Sequence, residues 1–382
     1  MQPTAPSAPR PERARIESLD ALRGITVAVM LLVNNPGSWS HVHPPLAHAP
    51  WDGCTLADLV FPFFLFTVGA SMAFSFPRAI ESGRSRGAVL ARAIRRGLML
   101  VLLGLMLNAS SPVIGWLAGG VAPDWSTLRL PGVLQRIGLV FMLAAPIVIV
   151  ASTRVALAAC VVLIAAYGAW LGTGSIDPAT NPTAAFDRAV LSARHLYKGG
   201  PFDPEGLGST PPAVASCLLG LLAARFLLRP NVSPARTTAL LAMAGICLMA
   251  TGLAAAPCWP VNKPIWSASY VVFTGGAAMA AWAALHAMMD LGGWRRPFHP
   301  AVVFGSNAIF AFVATGLVAR VLGAPIITTP TGPIGVHAWM HERFFAPLAS
   351  PMNASLVHAL ATVLAWYAVH AWLMRRRIFF KV

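Results

Sequence analysis

Ten stretches of the 382-residue chain are apolar for about as long as a bilayer is thick, and this restricts its folding more than any other feature. A helix needs roughly 20 mostly apolar residues to cross a hydrocarbon core, where each backbone N–H and C=O must be paired within the protein. The stretches run roughly over 19–35, 56–77, 93–110, 132–151, 154–172, 210–228, 236–256, 264–290, 301–322 and 352–374. Hydrophobic residues make up 57% of the chain and charged residues only 11%; a water-facing surface needs about a quarter of its residues charged. The pattern predicts an all-α integral membrane protein of about ten transmembrane helices. Residues 19–374 read as one transmembrane unit, between a Pro- and Arg-rich tail (1–18) and a basic tail (375–382). No cleavable signal peptide is visible ahead of the first span.

The net charge of +15 would suit nucleic acid, but the basic residues sit between the apolar runs. With the N-terminus inside, inner segments hold 19 Lys and Arg and outer segments 6. The inner set includes Arg84, Arg86, Arg92, Arg95 and Arg96; the outer set is Arg129, Arg188, Arg194, Lys198, Lys263 and Arg343. This bias is that of cytoplasmic loops, so both termini are expected in the cytoplasm and nucleic acid is not an expected partner. The five Cys form no CxxC pair, and no disulfide framework or zinc ribbon is indicated; Cys54 and Cys258 share the outer side with no spacing that supports pairing. Two outer segments, 173–209 and 323–351, are long and rich in Pro and Gly, with a short interfacial helix expected at 334–348. No internal repeat of the kind transporters use is evident.

Ionisable and amide groups inside spans are costly and mark function by default. Gly24 to Val33, between Arg23 and Asn34, cover roughly half of a ~30 Å core at about 1.5 Å per residue, so Asn34 is expected to be buried. The densest polar stretch, residues 41–64, carries His41, His43, His48, Asp52, Cys54 and Asp58. It reads as a polar loop, as a metal site on the three His, or as a catalytic His held by Asp52 or Asp58. The H-x-H spacing between prolines is a poor metal pattern, and no metal is expected; the imidazole–carboxylate reading suits proton transfer. Arg129, Gln135 and Arg136 gather at the outer entrance of the fourth span. Asp203 and Glu205 stand in a turn-forming FDPEG. Asn262, Lys263 and Trp266 lead into the eighth span, and Asn307 lies within the ninth.

These segments, taken in order, resemble the heparan-α-glucosaminide N-acetyltransferase family and its bacterial membrane homologues. The likeness rests on SLDALRG (18–24), VN (33–34), HAPWDGCTLADLVFPFFLF (48–66), LRLPGVLQRIG (128–138), GPFDPEGLGST (200–210), WPVNKPIWSASY (259–270) and SNAIF (306–310). The family's large extracytoplasmic N-terminal domain is expected to be absent. The resemblance implies acetyl transfer from cytoplasmic acetyl-CoA to the amine of a glucosamine unit across a membrane, here a bacterial inner membrane, and a homodimer. It assigns the catalytic His to His48, with Asn34 and Asp58 as partners. Substrate or acetyl-CoA contacts are expected from Arg129, Gln135, Arg136, Asp203, Glu205, Asn262, Lys263, Trp266 and Asn307. Two departures stand out: Asp52 where relatives tend to show Asn, and a longer stretch between Asn34 and His48.

Amide formation from a thioester needs a free amine, a positioned donor and a stabilised oxyanion. His48 suits the base, or a transient acyl carrier; Asp58 would fix its tautomer and strengthen it as a base, and Asn34 would donate to the oxyanion. The coenzyme phosphates would meet the inner Arg cluster with Arg23, or Arg129 and Arg136. Alternatives are O-acetylation of an envelope glycan, a sugar or anion transporter, and a metal-dependent hydrolase.

Overall fold

The computed structural model describes residues 16–330 and 332–380. Arg10, Arg13, Arg15 and Lys381, part of the predicted charge asymmetry, lie outside the described residues. The chain begins with α1 (Glu17–Asn34), α2 (Leu56–Glu81), α3 (Arg86–Leu117), α4 (Val133–Val150) and α5 (Thr153–Leu171). A short α6 (Pro182–Leu191) precedes α7 (Thr210–Leu227), α8 (Pro234–Ala254) and α9 (Ala268–Leu285), which a π-helical turn extends to Leu291. Then come α10 (His299–Gly305), α11 (Ala308–Gly323), a hairpin of β1 (Pro325–Thr329) and β2 (Gly332–Gly335), α12 (Val336–Met340) and α13 (Pro351–Arg375).

Among the described residues, eight helices are long and apolar enough to cross a membrane, or nine if the pair α10–α11, bent by 67°, is one span. The sequence predicted ten. The difference has two causes. Glu17, Asp20 and Arg23 share the 18 residues of α1, and the expected ninth span is broken at Ser306–Asn307 into α10 and α11. Local sequence sets many helix starts. Ser85, Ser152, Ser233 and Ser267 each accept a backbone N–H of the first turn, as N-caps do.

Helices alternate in direction, and side-chain bonds tie each end together. At one end, Arg295 pairs with Glu17 at 3.4 Å, and Arg225 donates to the carbonyls of Val148 and Ala151. At the other, Ser355 bonds Ser38; His48 lies at this end, past the C-terminus of α1. Helix α7 is the most enclosed, packed by α2, α4, α5 and α9. It approaches α2 through paired glycines: a Cβ on Gly69 would meet the Cys217 carbonyl oxygen at 1.8 Å, and one on Gly220 the Phe66 carbonyl oxygen at 1.9 Å. Small residues allow such backbone approach between membrane helices. Trp266, Trp282, Arg136 and Tyr270 are among the largest fully buried side chains.

The expected interfacial helix at 334–348 is present as α12 followed by π and 3-10 turns to Leu348. The β hairpin ahead of it and α6 within 173–209 were not expected. Both are too short to stand out by length.

Candidate active site

The start of α2 fixes the central pair. Thr55 caps the helix and Asp58 closes a capping box, its Oδ2 accepting the Thr55 backbone N–H at 3.1 Å and hydroxyl at 3.0 Å. The same oxygen accepts the Ala49 N–H at 3.0 Å, pinning the preceding loop onto the helix. Asp58 Oδ1 is then presented to His48 Nδ1 at 2.7 Å. The carboxylate is 2% exposed and the imidazole 48%, so a solute can reach the ring while its partner is shielded. His48 Nε2 has no partner among the described residues.

A second loop, 259–267, comes up against the first. Gly53 donates its N–H to the Val261 carbonyl at 2.7 Å, and Asn262 Nδ2 donates to Asp52 Oδ1 at 3.0 Å. The Asn262 side-chain Oδ1 accepts from Ile265 N–H at 3.0 Å, closing its own loop. Lys263 Nζ lies 3.1 Å from His48 Nδ1 and 3.3 Å from Asp58 Oδ1. Trp266, at φ +54° and fully buried, donates Nε1–H to Ser216. Its ring packs on Phe61 and Tyr270, and the Tyr270 hydroxyl donates to the Asp58 backbone carbonyl at 2.6 Å. Burial pushes the Cys54 thiol up to about 12, so it stays protonated beside this pair; Cys54 and Cys258 are both free.

Arg129 and Arg136 join a neighbouring ionic cluster. Arg129 bonds Asp203 at 2.8 and 2.6 Å and Glu205 at 2.5 Å, with its guanidinium over Tyr197. Burial opposes that charge, but the bonds to Asp203 and the charges of Glu205 and Asp203 outweigh it and hold the proton more tightly than usual. Arg136 is buried over the Trp266 face, 5.4 Å from its centroid, and donates to Gly206 O and Ser209 Oγ, both at 2.5 Å. Asp187 of α6 accepts from Gly208 N–H; burial raises its carboxyl to about 6. Arg129 is thus held by carboxylates of the 201–209 segment, whereas Arg136 engages that segment through Nη2 alone, its buried Nε and Nη1 having no hydrogen-bond partner among the described residues.

Three other expected residues stand apart from the imidazole–carboxylate pair. Asn34 is exposed rather than buried: it is the last residue of α1, and Asn35 takes the inward place, donating to Leu31 O. The expectation rested on depth along α1 and did not include which side of the helix faces the protein. Asn34 lines a cavity of about 330 Å³ with Arg320, Thr315 and Phe312. Gln135 is buried against Gly104 and Gly132. Asn307, at the break between α10 and α11, holds Ile378 O and Phe380 N, near the end of the helices opposite His48. His43 Nε2 pairs with Asn353 at 3.1 Å and His41 with Ser38, so these imidazoles do not converge on His48.

A larger cavity of about 460 Å³ is lined by Phe64, Thr67, Ser71 and Ser75 of α2, Arg96 of α3, Val133 and Leu134 of α4, Arg23 and Phe312. Arg23 bonds Asp20 and Ser71, whereas Arg96 stands over the Phe141 ring. From Phe64 to Ser75 the α2 wall alone runs about 16 Å at 1.5 Å per residue.

A family profile described as "Heparan-alpha-glucosaminide N-acetyltransferase, catalytic" matches residues 15–251. The chain belongs to the heparan-alpha-glucosaminide N-acetyltransferase family. The matched range takes in α1 through most of α8, with the His48–Asp58 pair and the 201–209 segment; Lys263 lies beyond it. The human heparan-alpha-glucosaminide N-acetyltransferase is 28% identical over 361 residues, covering 78% of this chain and 52% of the human protein. The mouse protein is 25% identical over 370 residues, covering 81% and 54%. The chain thus spans about half the length of the curated relatives it matches. Family membership and the apolar helices make it a multi-pass membrane protein of an acetyltransferase family.

Proposed function

We propose that the protein transfers an acetyl group from cytoplasmic acetyl-CoA to the amine of a glucosamine-type sugar on the opposite side of the membrane, with His48 as the base. The observation that carries this reading is the 2.7 Å contact of His48 Nδ1 with the buried Asp58. A carboxylate there favours the tautomer with the proton on Nδ1 and leaves the Nε2 lone pair facing outward. The amine nitrogen attacks the thioester carbonyl; the new C–N bond forms, Nε2 takes the amine proton, and the C–S bond breaks. The departing thiolate recovers a proton from the imidazolium, so no external acid is consumed. The rival course, acetylation of Nε2 itself before transfer, uses the same free nitrogen.

The 460 Å³ cavity supports a donor approaching from the arginine-rich end. Arg96 offers a guanidinium with no carboxylate partner among the described residues, and the apolar stretch between Arg96 and Val133 suits a pantetheine arm. Asn34 lines a second cavity that shares Phe312 with the first, a position from which its amide would donate to a developing oxyanion. The positive-inside bias supports a cytoplasmic arginine-rich end.

The test compares detergent-purified wild type with His48→Ala for acetyl transfer to glucosamine and for acetyl-CoA binding. Wild type is expected to turn over. His48→Ala should bind donor with unchanged affinity and lose turnover by about 10²–10⁴-fold, the usual contribution of a general base. Absence of acetyl-CoA binding by wild type would overturn the donor assignment.

A further inference from the structure

Two groups converge on one nitrogen at the site. His48 Nδ1 lies 2.7 Å from Asp58 Oδ1 and 3.1 Å from Lys263 Nζ, and the two partners are 3.3 Å from each other. An ammonium has only protons to give. Nδ1 can either donate to the carboxylate or accept from the lysine, and these choices leave Nε2 in opposite states. With Nδ1–H on Asp58, Nε2 carries a lone pair and can take a proton; with Lys263 donating to Nδ1, Nε2 carries the hydrogen and cannot.

We infer that Lys263 is a positioning residue: it directs its proton to Asp58 Oδ1, offsets the carboxylate's charge, and so keeps His48 neutral as an Nε2 base between turnovers. Three observations carry this. The imidazole is nearer the carboxylate than the ammonium, so the Nδ1–H tautomer is the one the geometry favours. Lys263 is only 18% exposed on its side chain and Asp58 2%, which weakens the screening that reduces surface pairs. The loop bearing Lys263 is fastened to the loop bearing His48 by Gly53–Val261 and Asp52–Asn262, so the ammonium is delivered to a fixed place.

The charge logic has a definite sign. A carboxylate alone beside an imidazole stabilises the imidazolium, and a cation beside it does the reverse. The other ionisable groups facing the pair do not supply this balance. The Cys54 thiol is held protonated by burial, Asp52 is turned to Asn262, and the Tyr270 hydroxyl is given to the Asp58 backbone carbonyl. Removing Lys263 therefore leaves His48 facing an uncompensated carboxylate, protonated over a wider range of pH.

The inference rests on His48 acting as a base, so its test has a readout that does not need turnover. Imidazole ¹⁵N spectra of His48, assigned by their loss in His48→Ala, are followed against pH in wild type, Lys263→Met and Lys263→Arg. Activity is measured on the same samples. Lys263→Met is expected to move the imidazole titration, and the acid limb of kcat/KM, upward by about one pH unit, a tenfold change in the neutral fraction below the limb. Lys263→Arg, which keeps the charge, should stay within about 0.3 unit of wild type. A titration unmoved in Lys263→Met, with the fold intact by circular dichroism, overturns the inference. So does an equal shift in both variants, since charge would then not be the cause. If the titration moves as expected while wild type transfers no acetyl group, the coupling stands and the acyltransferase reading falls.

Discussion

Arg129 and Arg136 are both arginines at the entrance of α4, and each bonds groups of the 201–209 segment. Arg129 is held by two carboxylates, one of them the fully buried Asp203. Truncating one member of such a pair leaves a buried charge without compensation, at a cost of order 3 kcal/mol. Arg129→Met is therefore expected to lower the midpoint of thermal unfolding by several degrees while leaving the KM for acetyl-CoA near wild type. A raised KM with unchanged melting would instead mark Arg129 as a donor contact. At this scale the sequence was informative where a residue's partner is close in the chain. His48 and Asp58 are ten positions apart, and their pairing was one of the alternatives that the loop itself offered. Lys263, 215 positions from His48, read only as part of a binding set, because nothing local shows which loop an outer lysine will meet. Asn34 read as buried because its depth along α1 was legible, whereas which side of the helix faces the protein was not; Asn35 takes the inward place.

The helices owe their placement to small residues more than to amphipathic stripes, since lipid offers no contrast to an apolar face. The Gly69–Cys217 and Gly220–Phe66 approaches set how closely α2 meets α7, and α2 begins at the Thr55–Asp58 box that orients His48. Gly69→Ala is expected to destabilise the protein and reduce activity together, because its Cβ would fall 1.8 Å from a backbone oxygen. Gly115→Ala in α3 meets nothing within 4 Å and should be neutral or stabilising by up to about 1 kcal/mol, the helix propensity difference. Equal melting temperatures for the two variants would show that the α2–α7 approach is not rigid. Apolar length made eight helices legible in the sequence; it did not show the 67° break at α10–α11, whose cause is tertiary. Asn307 at the break gives its amide to the chain after α13, a bond invisible to any local window.

Across the whole molecule, the cavity lined by Arg23 and Arg96 and the cavity lined by Asn34 share Phe312 in their walls, and the half-exposed His48 stands in a loop past the helices. On the proposed reading, the thioester approaches along the cavity lined by Arg96 and the amine meets His48, with the two ends facing different compartments. The measurement that tests this most directly uses proteoliposomes of defined orientation, with labelled acetyl-CoA on one side and glucosamine on the other. Labelled N-acetylglucosamine should form only when the donor is on the Arg96 side and the acceptor on the His48 side, and His48→Ala should abolish it. Product that forms only when donor and acceptor share a compartment would contradict the account.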